Sequence, residues 1–359
     1  MASIVAGKLL TSKATQLQRL TIALDAMGGD SGPPVVIPAV KRILENYTNI
    51  AVHLVGDPVI LTPLIEHYQL QENPRVHLVC TSEVILPDDK PLTILRSRRS
   101  SSMAKALQLV ADHQANACVS AGSTGALVAL SHSILKVLPG VVRPALVTAL
   151  PNKKGTKTLL LDLGANINCN ANLLVQFAMM GSVLVEQLWG VNNPSVALLN
   201  IGSEAIKGND TIRHASHLLT QTKHLNYQGF IEGNQLFNGS CNVIVCDGFS
   251  GNVALKTAEG TAEYLLDIFS SFMPKGRIKR YLISRLLPGI ATQLNRYRPS
   301  QYNGACMLGL NGSVIKSHGR ADSDAFYQAI CEAIEQSKLH IPDMIGEKIQ
   351  TYQATLSEN

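Results

Sequence analysis

One arrangement recurs along the chain: a short apolar run rich in β-branched residues, a loop of small residues, then a longer helical stretch. The runs Thr21–Asp25, Ala51–Val55, Ala117–Val119, Leu159–Leu163, Val196–Leu199 and Val243–Cys246 are nearly continuous in apolar character. Strands of a parallel sheet covered on both faces require this. Alternation with helices predicts an α/β fold, a Rossmann-like, mostly parallel sheet with helices on both faces. No linker rich in Pro, Gly and Ser divides the chain. A single α/β domain is therefore expected over 21–345, with an N-terminal extension at 1–20 and a C-terminal tail at 346–359.

Composition narrows the classes. With 359 residues, 46% hydrophobic and 16% charged, the chain can bury enough surface to offset its conformational entropy, which excludes disorder. A net charge of +5 and 5% aromatics argue against nucleic-acid binding. No run approaches the ~18 apolar residues that span a bilayer, and residues 1–18 lack the apolar core of a signal peptide. Seven cysteines without a CxxC pair sit mostly in strand-like runs, as expected of reduced thiols in a cytosolic protein.

In open parallel sheets, ligands bind beyond the carboxyl ends of strands, where helix N-termini offer free N–H groups. The sharpest such loop is Ser120-Ala121-Gly122-Ser123-Thr124-Gly125, whose hydroxyls and N–H groups suit an anion; ordinary N-capping by Ser123 or Thr124 is the plainer reading. Asp25 and Asp30 flank Gly28 and Gly29, and Asp247 ends the last apolar strand before Gly248 and Asn252. Such carboxylates hold a loop, orient a base or bind Mg²⁺, and bracing by an Asx turn is the commonest use. Lys256, Lys316 and His318 are further candidates, as is the cluster Arg96, Arg98, Arg99 and Lys105; each is more often simply solvated. His214, His217 and His224 lack the partners of a metal site, so no metal is expected. GxGxxG, GxxxxGK[ST] and GxSxG are all absent, so no nucleotide cofactor or serine nucleophile is indicated.

One region differs from the rest. From Ile268 to Ala321 there is no Asp or Glu, and nine Lys and Arg give +9, leaving −4 for the remainder. Ile278, Tyr281, Leu282 and Leu286 follow one helical face, while Lys275, Arg277, Lys279, Arg280 and Arg285 sit largely elsewhere on the wheel. Two readings stand: a surface helix packed on the core or a second subunit, or a basic amphipathic insertion (268–300) that meets an anionic membrane or an acidic partner.

Taken together the loops resemble the bacterial phosphate acyltransferases of phospholipid synthesis. The ordered set is Ala23–Asp30, Ser101-Ser102-Met103, Val119–Leu127, Leu161–Asn166, Leu198–Gly202, Cys246–Val253 and Gly309–Gly312. Four positions depart from the usual pattern: Ser100, Ser123, Asn168 and Cys306. The resemblance implies transfer of a long-chain acyl group from acyl-[acyl-carrier protein] to inorganic phosphate, without a cofactor. It also implies a fold akin to phosphotransacetylases and isopropylmalate dehydrogenases, and a homodimer. The protein would be cytoplasmic, attached peripherally to the inner membrane, and would pass acyl phosphate to a membrane glycerol-3-phosphate acyltransferase.

Phosphate is the nucleophile in such a reaction, so the site needs anion-holding N–H groups, oxyanion donors and a proton for the leaving thiolate. The loops Gly122, Ser123, Thr124, Gly125, then Gly164–Asn166, then Asn200 and Gly202 are expected to hold phosphate and the thioester oxygen. Lys256, Lys316 or His318 would balance charge or act as acid. A phosphotransacetylase-like enzyme acting on a short acyl-coenzyme A is the nearest alternative. A dehydrogenase would need an Asp cluster not found here, and a non-catalytic membrane adaptor would leave the loops unexplained.

Overall fold

The computed structural model describes residues 19–86, 89, 91–272 and 303–357. Basic residues Lys275, Arg277, Lys279, Arg280 and Arg285, and the extension 1–18, lie outside the described residues. The elements follow in order: β1 (Leu20–Asp25), α1 (Pro33–Asn46), β2 (Ile50–Gly56), α2 (Pro58–His67), β3 (Val76–Cys80), α3 (Pro91–Ser97), α4 (Ser102–Ala111), β4 (Ala117–Ser120) and α5 (Thr124–Ile134). Then come β5 (Ala145–Pro151), β6 (Lys157–Leu161), α6 (Ala171–Trp189), β7 (Ser195–Asn200), α7 (Asp210–Gln221), β8 (Asn226–Glu232), β9 (Val243–Val245) and α8 (Gly248–Phe272). The last four are β10 (Ala305–Leu308), β11 (Ser313–Lys316), α9 (Ser323–Lys338) and α10 (Ile341–Ser357).

Among the described residues eleven strands join one sheet in the order β3-β2-β1-β4-β11-β10-β5-β6-β9-β7-β8. Most neighbours are parallel, as the apolar runs predict. In the middle, however, β10 pairs antiparallel with both β11 and β5, and β5 pairs antiparallel with β6. Strands β6, β9, β7 and β8 therefore run opposite to β1–β4 and β11. The carboxyl ends of the two halves point to opposite edges, a division the loop sequences do not reveal.

Side-chain alternation sends each strand's residues to two faces. On one face a continuous core joins Ile22, Leu24, Val119, Ile315, Leu161 and Val245 to helices α1, α9, α6, α7 and α10. The other face is shared by two separate clusters. One holds Ala23, Cys118 and Val314 under α4 and α5; the other holds Leu146, Leu160 and Ile244 beside Ala254 and Leu255 of α8.

Helix α6 has 19 residues and is long and apolar enough to cross a bilayer, closer to that limit than the sequence reading allowed. Most of it, including Phe177 and Met180, is buried against the sheet. The boundary placed at 345 falls inside α10, where Ile345 and Ile349 are each 1% exposed in the main core. The sequence 346–359 thus begins as the continuation of a packed helix, because Ile349 joins Ile341 and Ile345 of the same helix in covering α6. Ile349→Ala should lower unfolding stability by about 2–4 kcal/mol through the cavity it leaves, read as a lower urea midpoint at unchanged m-value.

Candidate functional site

Three neighbouring strands place Asp25, Ser120 and Lys316 in one row. Asp25 stands opposite Ser120 in the β1–β4 register, and Lys316 stands opposite Ser120 in the β4–β11 register. All three lie on the face shared by the two separate clusters, at the carboxyl ends of their strands. Asp25 is buried, and its Oδ2 accepts the Ser120 hydroxyl at 2.6 Å. Oδ1 has no partner of good hydrogen-bond geometry, although the Ser102 hydroxyl and the Met27 and Gly28 N–H groups stand close enough to favour the charge. Burial outweighs them and pushes the carboxyl above its ordinary range.

Lys316 is also buried, and its Nζ donates to the Ala121 carbonyl at 3.4 Å and to the Ser317 carbonyl. Burial first, and then the Lys256 charge, lower its pKa to about 8, against the pull of Asp25 and Asp30. Lys256 comes from the other half of the molecule: α8 starts at the opposite edge and runs back, which brings Lys256 Nζ to 3.1 Å from His318 Nε2. Glu259 pairs with the same ammonium at 2.7 Å. His318 Nδ1 accepts the Arg320 N–H, so in the neutral ring Nε2 carries the proton. Two donors then face each other, an arrangement that an anion's oxygen would relieve. Partial burial and Lys256 hold the His318 pKa below its usual value.

Backbone donors point to the same place. Helices α2, α4, α6, α7 and α9 begin with a side-chain cap, from Asp57, Ser101, Asn170, Asn209 and Asp322. Helices α1 and α5, which follow β1 and β4, have none: Gly32 and Ser123 occupy the cap positions without a side-chain bond. Capping by Ser123, the plainer reading of that loop, is not seen. At α5 the N–H groups of Thr124, Gly125 and Ala126, with the positive end of the helix dipole, remain for an anion. Helix α1 opens with Pro33 and Pro34, which carry no N–H, and its Val35 and Val36 N–H groups bond the Gly32 carbonyl, so it offers only the positive end of its dipole. Gly28 is needed to close the loops together, since a Cβ there would lie 2.6 Å from Asp25 Oδ2 and 2.8 Å from Gly122 N.

The expected site residues divide between the two edges. Asp25, Gly28, Gly29, Asp30, Gly122, Ser123, Thr124, Gly125, Lys316 and His318 gather at the first edge, where α8 delivers Lys256. Asn166, Asn200, Gly202, Asp247, Gly248 and Asn252 belong to loops at the second, because β5 and β10 reverse the strand direction between them. Their side chains serve that edge. Asn166 Nδ2 is spent on the Pro144 carbonyl and Asp162; Asn200 Nδ2 braces Gly202 and Lys207; the Asp247 carboxylate accepts the Ser250 N–H at 2.7 Å. The side-chain N–H groups of Asn166 and Asn200 are thus used within their own loops, and Asp25 lies buried beneath the first-edge loops.

Sequence reasoning passed over Ser120 as the partner of Asp25, and Asp162. Asp162 is buried and accepts from the backbone of Leu146, Ala165 and Asn166 and from the Asn166 amide. A lone carboxylate between two leucines at the end of an apolar run was its signal. Of the basic cluster, Arg98 pairs with Asp89 and Glu83, and Lys105 donates to the Cys80 carbonyl. Burial pushes the thiols of Cys169 and Cys241 up to about 12, and those of Cys118 and Cys246 upward too, so they are poor nucleophiles. Among the described residues no group of three His, Cys, Asp or Glu side chains gathers as metal ligands.

The family described as "Fatty acid synthesis protein" matches residues 20–344. A phosphate acyltransferase from Shewanella amazonensis is 47% identical over 335 residues, covering 93% of this chain and 98% of its own. One from Vibrio campbellii is 45% identical over 334 residues, with the same coverage of both chains. The chain belongs to the phosphate acyltransferase family. Among solved structures, a phosphotransacetylase from Streptococcus pyogenes superposes with TM-score 0.59 at 16% identity, covering 89% of this chain and 94% of its own. The EutD phosphotransacetylase from Staphylococcus aureus gives 0.57 at 17%, covering 89% and 96%. At that identity they show the fold alone, and it is the phosphotransacetylase-like α/β fold expected.

A phosphate acyltransferase that keeps an ammonium buried sacrifices stability for charge. The sign follows from the proton balance: Lys316 has a lowered folded-state pKa, so the unfolded chain binds more protons between about pH 8 and 10.5. The lysine costs stability below about pH 8, and the cost fades as pH rises toward 10.5. Lys316→Met should raise the Tm at pH 7, by at most about 3 kcal/mol of stability, with the gain shrinking in a melting series carried to pH 10.

Proposed function

We propose that the chain transfers a long-chain acyl group from acyl-[acyl-carrier protein] to inorganic phosphate, with the chemistry at the edge formed by β1, β4 and β11. The observation that carries this reading is the convergence of Lys256, Lys316 and His318 beside the loop that opens α5, whose N-terminus has no side-chain cap. That is a site for a small, doubly charged anion in a partly water-excluded place. Phosphate held there has its oxygen fixed for attack, which replaces the need for a protein nucleophile.

In this reading a phosphate oxygen attacks the thioester carbonyl carbon, and the N–H groups at Thr124 and Gly125 stabilise the oxyanion that forms. Collapse breaks the carbon–sulfur bond and releases the carrier thiolate. The thiolate takes a proton from the Lys316 ammonium, whose pKa of about 8 suits it to give one near neutral pH. Lys316 regains the proton that hydrogen phosphate surrenders on acylation, so acyl phosphate and free carrier thiol are the only products.

The finer assignments rest on other features. Helix α8 exposes Phe249, Val253, Tyr264 and Leu265, an apolar face that a second copy would cover in a homodimer. The basic 268–300 stretch would meet the acidic carrier protein, the inner-membrane surface or both, in a cytoplasmic enzyme that attaches peripherally and supplies a membrane glycerol-3-phosphate acyltransferase.

Purified protein incubated with palmitoyl-[acyl-carrier protein] and phosphate, then trapped with hydroxylamine, should yield palmitoyl hydroxamate only when both enzyme and phosphate are present. Thr124→Pro removes the N–H of residue 124 at the first position of α5, where proline is tolerated, and should lower the rate about tenfold or more with little change in Tm. Activity with acetyl-coenzyme A in place of the palmitoyl carrier would give the short-chain phosphotransacetylase reading instead, and no product with either would remove the catalytic reading.

A further inference from the structure

Ser120 is fully buried and serves three strands at once. Its hydroxyl donates to Asp25 Oδ2 at 2.6 Å and accepts the Gly122 N–H at 3.1 Å. Its carbonyl accepts the Ser317 N–H at 2.9 Å, which ties the residue after Lys316 to the end of β4. The next carbonyl, Ala121 O, receives the Lys316 ammonium. One residue therefore links the buried carboxylate and the peptide that leads into α5 through its hydroxyl, and the strand end that carries the buried lysine through its backbone carbonyl.

We propose that Ser120 is a positioning residue for phosphate, fixing the Gly122–Gly125 loop and the Lys316 ammonium relative to each other by bridging Asp25 to the Gly122 N–H. This rests on the reading of the site as one that binds phosphate. The bridge has a single polarity: with Asp25 ionised, its oxygen can only accept, so the Ser120 proton points to Asp25 and a lone pair is left for Gly122. Alanine at 120 strips Asp25 of its shortest donor and frees the Gly122 peptide to rotate. The loop N–H groups then lose their common direction.

The charge on Lys316 changes with it. The groups around that ammonium are Asp25 on β1, Asp30 in the following loop, Lys256 on α8 and, beyond β11, His318, which itself faces Arg320. Asp25 and Asp30 favour the protonated lysine, while Lys256 disfavours it. A carboxylate without the Ser120 donor ionises less readily, so the lysine deprotonates at lower pH and phosphate binding is lost earlier as pH rises.

The test measures binding of inorganic phosphate by calorimetry between pH 6.5 and 9, beside steady-state kinetics, for the full-length protein and three variants. Ser120→Ala should weaken phosphate binding about tenfold at pH 6.5, leave the KM for the acyl donor within about twofold, and move the alkaline loss of binding to lower pH. Asp25→Asn keeps an acceptor for Ser120 and removes the charge. It should bind phosphate nearly as the unaltered protein does at pH 6.5 and lose it earlier above pH 7. Ser131→Ala removes a buried hydroxyl of α5 that has no hydrogen-bond partner and should change neither quantity. Phosphate affinity unchanged in Ser120→Ala, or lost only in proportion to unfolded protein, would overturn the proposal. An Asp25→Asn profile superimposable on the unaltered protein's would overturn it as well. If the unaltered protein binds phosphate in this pH-dependent way but forms no acyl phosphate, the catalytic reading falls while the binding role of Ser120 stands.

Discussion

Strands β5 and β10 lie side by side in the middle of the sheet, and each pairs antiparallel with its neighbours. Everything about the placement of loops follows from that reversal. Each half obeys the rule that ligand-binding loops sit beyond the carboxyl ends of parallel strands, yet the rule points the halves in opposite directions. Helix α8 compensates for this, since it begins at the second edge and runs back along the sheet until Lys256 meets His318. The site therefore draws a cation from each half of one continuous sheet.

Both halves solve the same electrostatic problem. Each buries a carboxylate at a strand end, Asp25 after β1 and Asp162 after β6, and surrounds it with donors that fold the following loop over it. An ionised carboxylate in the interior is costly unless several donors reach it. The loops pay that cost by turning their N–H groups inward. In the first half, Lys316 adds an opposite charge close by, and that half holds α5, whose N-terminus has no side-chain cap. In the second, the donors of Asn166 and Asn200 are consumed by bracing. The same kind of loop thus leaves N–H groups open in one place and consumes its side-chain donors in the other.

Strand cores were legible where burial on both faces left an unbroken apolar signal: β1, β2, β4 and β7 contain the runs read from sequence, while β6 ends at Leu161 and β9 at Val245, short of the runs that reached Leu163 and Cys246. Strands β3 and β8 were not. They are the two edges of the sheet, half-covered, and their residues, such as His77 and Gln228, are those of an exposed surface. The central pair β5 and β10 escaped for another reason. Ala145–Pro151 is as apolar as its neighbours, but nothing in a strand's own residues encodes the direction of its partner.

The sequence by itself determined the α/β class, the family and the chemical character of each loop, because these depend on local composition and on the order of motifs along the chain. It also marked Asp25, Lys256, Lys316 and His318 as candidates by residue type. Only the tertiary structure decided which of them meet. Register places Asp25, Ser120 and Lys316 in a row across residues nearly 300 positions apart in the chain, as from Asp25 to Lys316. Burial then turns ordinary side chains into a raised carboxyl and a lysine with a pKa of about 8. Proton affinity and hydrogen-bond partners are properties of surroundings, and surroundings exist only after distant segments have packed together.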